Sequence, residues 1–178
     1  MRLDALTRPW VGSALRHTPA DAKLGVLDFR YAGRGKLNRW NEDHEPTLYL
    51  AGDEGVLITE WGRHFSLHRR EPGRGATVAR SVHRLTLVLG ATIDLRDPAV
   101  CSALSIEHAP HRFTDVAVAR ATARFLRRTT DAQAIFVPPI GMLDQPERWC
   151  LVLFLEKLPD DPRRFVTDVT TTGPLRWG

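Results

Sequence analysis

Residues 149–155 (WCLVLFL) form the longest unbroken apolar run in a chain of 178 residues. A bilayer-spanning helix needs about 20 such residues, so no membrane span is expected. Seven apolar residues between Arg148 and Glu156 read instead as a buried strand. Other strand signals surround this one. Residues 47–51 (TLYLA) put Leu48 and Leu50 on one face, with Tyr49 and Ala51 on the other. Residues 134–137 end at Pro138-Pro139, residues 76–95 carry two strand-like runs, and residues 165–171 add an edge strand.

Helix signals fall between these strands. Asp53 opens a helix over residues 54–67. Asp97-Pro98 pairs an N-cap with a first-turn proline, so a helix is expected over 99–105. Thr114-Asp115 reads as another cap, opening an alanine-rich helix over 115–128, and capping fully accounts for the Thr114 hydroxyl. Strands and helices do not alternate as βαβ units, so the fold class is α+β. The expected organisation is an N-terminal arm (1–13), one domain (14–158) and a C-terminal extension (159–178). Within the domain, residues 14–45 are rich in turn formers and read as an ordered loop. Gly33-Arg34-Gly35 lacks the strand and helix that flank a dinucleotide fingerprint, so it is set aside.

The formal charge is +4, and only three of the 25 basic residues are lysine. GC-rich coding explains part of that bias. Arginine forks also suit phosphate. A nucleic-acid binder shows a concentrated basic stripe with interleaved aromatics. Here the densest basic stretch, residues 63–84, contains Gly and Pro and reads as an exposed loop with a turn at 72–75. Direct nucleic-acid binding is therefore not expected. Cys101 and Cys150 have no CxxC partner and read as buried thiols. His64 and His68 share a helix face but lack an adjacent acidic ligand, so no metal site is expected. The N-terminus has no apolar signal core, and a cytoplasmic location is expected.

Four features remain: Arg16-His17, Arg39-Trp40-Asn41, Tyr49 with Glu60 eleven residues on, and Thr114 at a helix start. With TLYLA, the segment from Phe113 to Leu126 and the IFVPP strand end, they resemble the RES domain over residues 14–158. That family is known from toxin–antitoxin pairs. Here Thr114 stands where the family has its site serine, His17 where some members have tyrosine, and Pro139 where a small residue is usual. Threonine keeps the hydroxyl and adds a methyl.

The resemblance implies a fold like the ADP-ribosyltransferases, with central twisted sheets flanked by helices. It also implies cleavage of the nicotinamide–ribose bond of NAD+, by water or by inorganic phosphate as co-substrate. NAD+ is then a substrate, and no cofactor or metal is implied. Such cleavage passes through an oxocarbenium-like state, and the departing pyridinium needs no general acid. A carboxylate beside the ribose stabilises the developing charge. The catalytic set implied is Glu60, Arg16 and Thr114, and the NAD+-binding set is Arg16, His17, Arg39, Tyr49 and Thr114. Arg16 and Arg39 would grip the pyrophosphate. Thr114 would add a hydroxyl at the positive end of a helix, and Tyr49 an aromatic face. Trp40 braces the loop. The implied partner is an Xre-type antitoxin that blocks the pocket in a hetero-oligomer and itself makes the DNA contact. The alternatives are a protein ADP-ribosyltransferase on the same scaffold and a non-catalytic basic module, such as an RNA binder.

Overall fold

The structure is a computed structural model that describes residues 3–68 and 79–176. The 15-residue strand β3 (Arg80–Asp94) organises it. One edge of β3 pairs antiparallel with β1 (Arg8–Pro19) along nearly its whole length, Arg16 opposite His83 and His17 opposite Val82. The other edge is shared. Its first half pairs with β6 (Val166–Pro174) and its last three residues pair in parallel with β4 (Ala134–Val137). β4 continues to β5 (Cys150–Phe154), β5 to β2 (Thr47–Ala51), and β2 returns to β1 through Leu15 opposite Ala51. The expected central sheets are thus one six-stranded sheet, five of whose strands close into a barrel-like ring.

A parallel β3–β4 step needs a long crossover. Here it carries α2 (Pro98–Ala103), a 3-10 turn at His111–Thr114, and α3 (Val116–Thr129). Strand alternation then sorts the apolar residues into two cores. Ala14, Leu48, Leu50, Leu85, Leu87, Phe136, Leu151 and Leu153 fill the ring. Leu15, Ala51, Val82, Ile93, Ile135 and Val152 face outward, under α1 (Glu54–His68) and α3. Both faces of β5 are covered, which is why its run is unbroken apolar. Ala119 and Ala123 are buried and let α3 approach the wall closely.

Several expectations change. The arm expected over residues 1–13 supplies the first half of β1, because Arg8 to Ser13 have β3 as a hydrogen-bonding partner. The two runs expected over 76–95 are one strand from Arg80, so the basic stretch expected as a loop belongs to α1 up to His68 and to β3 from Arg80. The turn expected at 72–75 lies outside the described residues. β6 does form an edge strand within the expected C-terminal extension. Both cysteines are free and buried. Among the described residues no helix is long and apolar enough to cross a membrane, and no group of acidic, His and Cys side chains is placed to hold a metal ion.

The cap of α3 is Asp115. Its Oδ1 accepts from Ala117 N at 2.8 Å and Val118 N at 3.4 Å, whereas Thr114 Oγ1 donates to His111 O at 2.8 Å. Thr114 closes the preceding 3-10 turn, one residue too early to cap. Asp115→Ala is therefore expected to cost about 1 kcal/mol. Thr114→Val should cost clearly less, and urea unfolding of the two variants checks the difference.

Candidate active site

Between β1 and β2 the chain crosses from residue 20 to 46 without a regular element. Polar bonds supply its order. The side chain of Asn41 is 1 % exposed, and its Nδ2 donates to Gly33 O at 2.8 Å. Gly33 has φ +85°, and a Cβ there would overlap the carbonyl of Glu45, so only glycine fits. Arg120 on α3 reaches back, Nε to Asn38 O at 3.0 Å and Nη2 to Lys36 O at 2.5 Å. Arg124 pairs with Glu42.

This scaffold gives each residue of the Arg39-Trp40-Asn41 motif a separate task. Trp40 is buried against Phe113, ring centroids 5.0 Å apart. Its backbone N–H donates to Tyr49 Oη at 3.0 Å, and Tyr49 Oη donates to Asn41 Oδ1 at 2.7 Å. Tyr49 presents its hydroxyl to the loop, and burial pushes its pKa well above the ordinary phenol value. Arg39 Nη1 donates to Phe113 O at 2.9 Å and Thr114 O at 2.8 Å. Burial lowers the Arg39 pKa first and the nearby charge of Arg63 adds to that, while Glu60 pulls the other way.

Glu60 and Arg63 sit on α1, one turn apart, with Arg63 Nη1 4.0 Å from Glu60 Oε1. That is too long for a hydrogen bond. The Glu60 side chain is 37 % exposed, yet its Oε1 is buried and has no hydrogen-bond partner. Beneath it, the Cys150 thiol is pushed well above its usual pKa, chiefly by burial and then by the charges of Glu60 and Asp53. Glu60, Arg39, Tyr49 and Arg63 thus share the outer face of the sheet, and Thr114 adjoins through its carbonyl.

Arg16 does not join them. Side chains of consecutive strand residues point to opposite faces. His17 packs its ring on Trp61 of α1, centroids 4.7 Å apart. Arg16 turns to the other face, where Nη1 donates to Val26 O and the guanidinium lies 5.0 Å from the Phe29 ring. Its pKa falls to about 10 because burial outweighs the attraction of Asp28. The Thr114 hydroxyl is also engaged within its own turn, and the Asp115 carboxylate takes the first free amides of α3. The anion site expected at that helix start is occupied by the protein's own carboxylate. A cleft of about 750 Å³ beside Phe29, Arg30 and Asp161 contains none of the predicted site residues.

Arg63 and Arg120 are residues that sequence reasoning missed as functional or supporting groups, and Asn41 entered it only as part of the Arg39-Trp40-Asn41 motif. The i, i+3 spacing of Glu60 and Arg63 was a usable signal. Nothing local marked Arg120, whose carbonyl partners lie more than 80 positions away.

Two consequences of the Tyr49 geometry are measurable. Tyr49→Phe leaves Trp40 N and Asn41 Oδ1 short of a partner and is expected to cost about 1–3 kcal/mol in denaturant unfolding. In a Tyr31→Phe background, where Tyr49 is the remaining tyrosine, phenolate absorbance should rise together with unfolding. The unfolded phenol loses its proton near ~10 and the folded one only above that. Stability is therefore complete below that pH and falls as pH rises through the interval. Phenolate appearing in the folded protein at the ordinary pH would contradict the geometry.

Three comparisons set this arrangement among known proteins. No curated protein matches the chain in sequence. A chain of the M. tuberculosis MbcT-MbcA toxin-antitoxin complex, known from a crystal structure, superposes with a TM-score of 0.70 at 20 % identity, over 97 % of this chain and 90 % of that one. At that identity the likeness is one of fold. The family model described as the RES domain matches residues 13–178, a span that takes in β1 from Ser13 on, the 20–46 loop, α1 and α3. The chain belongs to the RES domain family.

Proposed function

We propose that this protein is the toxin of a toxin–antitoxin pair and consumes NAD+ by cleaving its nicotinamide–ribose bond. The observation that carries the reading is the buried, unpartnered Oε1 of Glu60, set among arginines. Leaving such an acceptor unpaired costs about 1–3 kcal/mol or more. The oxygen therefore suits a donor that arrives with a ligand. NAD+ brings ribose hydroxyls for the carboxylate, a cationic ring beside it, and a pyrophosphate for the cations.

In this reading Glu60 holds a ribose hydroxyl and stabilises positive charge on the sugar as the bond to nicotinamide lengthens. Water or inorganic phosphate adds to the anomeric carbon. With water the products are nicotinamide, ADP-ribose and a proton. With phosphate the sugar ends as its 1-phosphate. Arg39 and Arg63 offset the ligand's negative charge, and Tyr49 holds the wall of the site through Trp40 and Asn41. The likeness to ADP-ribosyltransferases that the family resemblance implies belongs to the same proposal. An Xre-type antitoxin, covering Glu60 and acting in the cytoplasm, completes the proposal. The complex in which the structural neighbour occurs supports a protein partner of that general kind.

The test is NAD+ loss by the purified chain, with and without inorganic phosphate, beside Glu60→Gln. Glu60→Gln is expected to lower the rate by about 100-fold or more while leaving the unfolding midpoint near the parent's. Phosphate dependence separates phosphorolysis from hydrolysis. Equal rates in parent and variant, or no NAD+ loss by a folded parent, would overturn the reading. Label transferred from NAD+ to a protein would move it to protein ADP-ribosylation.

A further inference from the structure

We infer that Arg80 is a phosphate-binding residue of the Glu60 site and that Trp61 and His17 hold its guanidinium in place for that task. The inference rests on the proposed function for the identity of the ligand, but not for the existence of an anion site.

Arg80 is the first residue of β3 and shares its outward face with Val82, which packs in the core under α1. Its guanidinium carbon lies 4.4 Å from the centroid of the Trp61 ring. Its Nε donates to His17 Nδ1 at 3.0 Å. An Nδ1 that accepts carries no proton, so the ring N–H of His17 is on Nε2. The His17 ring in turn packs edge-on against Trp61. Trp61 follows Glu60 directly on α1, and neighbouring α-carbons are about 3.8 Å apart. The residue that the guanidinium stacks on and the residue that carries the unpartnered carboxylate oxygen are therefore neighbours on α1.

Arg80 differs from the other half-buried arginines in its company. Arg96 has Asp94, Arg120 and Arg124 have Glu42, and Arg127 has Glu156. Among the described residues no carboxylate pairs with Arg80, and burial alone accounts for its lowered pKa. A half-buried guanidinium with a stacked face, one N–H engaged and no counter-ion is built to receive an anion through its remaining donors. Arg39 spends an Nη on two backbone carbonyls, and Arg16 is on the opposite face. Arg80, stacked on Trp61 and with only its Nε engaged among the described residues, thus keeps its terminal N–H groups for a pyrophosphate.

Two probes test this: inorganic pyrophosphate, and NAD+ on a Glu60→Gln background so that it is not consumed. Calorimetry on Arg80→Gln should show both binding on the order of tenfold more weakly. Arg80→Lys should recover part of the loss, because it restores charge without the fork. A purely structural clamp would lower the unfolding midpoint and leave affinity in the folded fraction unchanged. A folded Arg80→Gln that binds both probes as tightly as the parent overturns the inference and leaves the proposed function standing. Pyrophosphate bound through Arg80 with NAD+ neither bound nor consumed upholds the anion site and removes the proposed function. Should the substitutions not fold, the parent still decides. The Trp61 indole N–H resonance, assigned with Trp61→Phe, must move on titration with pyrophosphate, and a fixed resonance overturns the inference.

Discussion

Tyr49 Oη accepts from the backbone of Trp40 and donates to Asn41 Oδ1, and through these two bonds a long irregular segment is held against a rigid sheet. Buried hydrogen bonds gain strength from the low local dielectric and become costly when half-made. The segment from 20 to 46 has no ladder of its own, so its position depends on such bonds. Asn41 passes the constraint to Gly33, and Trp40 passes it to Phe113 below the start of α3. Arg39, between Asn38 and Trp40, is thereby held where it reaches the carbonyls of Phe113 and Thr114. The placement of Arg39 on the Glu60 face is a consequence of the Tyr49 bonds rather than of any bond between Arg39 and Glu60.

The ring has a second effect on the site. β3 carries β1 on one edge and both β6 and β4 on the other. Ring closure consumes the inward side chains in packing and leaves the helices the outer wall only. α1 crosses that wall over β1 and β2, which brings Glu60 above Cys150 and Trp61 beside His17. Two arginines, Arg39 and Arg63, then stand by one carboxylate, and Arg80 lies on the same outer face of the sheet. Elsewhere Arg96, Arg124 and Arg127 each pair with an acidic side chain, Asp94, Glu42 and Glu156. An excess of cations around a single unpaired carboxylate oxygen suits a ligand with both anionic groups and hydroxyl donors.

Local chemistry made much of this legible before any coordinates. The strands at 47–51 and 134–137, the buried run at 149–155 and the helix after Asp53 follow from alternation, apolar runs and capping. The RWN motif was legible as a unit, although its tasks were not. Asn41 looks like a turn residue until its side chain is seen buried beneath Tyr49. The cap at α3 was misassigned by one residue because Thr and Asp are both good caps. Only the backbone path, with a 3-10 turn ending at Thr114, chooses between them. The long β3 was read as two runs in a basic loop, since Arg80 and Arg84 carry no strand signal of their own and gain it from β1 and β6 alongside.

By itself the sequence determined the residue types, the class of fold and the spacing that puts a carboxylate on the helix after β2. Residues 14–45 read as a loop in the sequence, and only the pairing of β1 with β3 makes Arg16 and His17 strand neighbours that face opposite ways. Which of those ways holds the site was decided by tertiary structure alone. The ring had to close and α1 had to lie over one wall before His17 met Trp61 and Arg16 met Val26. Period-two alternation carries parity but no sign. The sign comes from long-range packing, and with it Arg80, silent in the sequence, comes to lie on the same wall as Glu60.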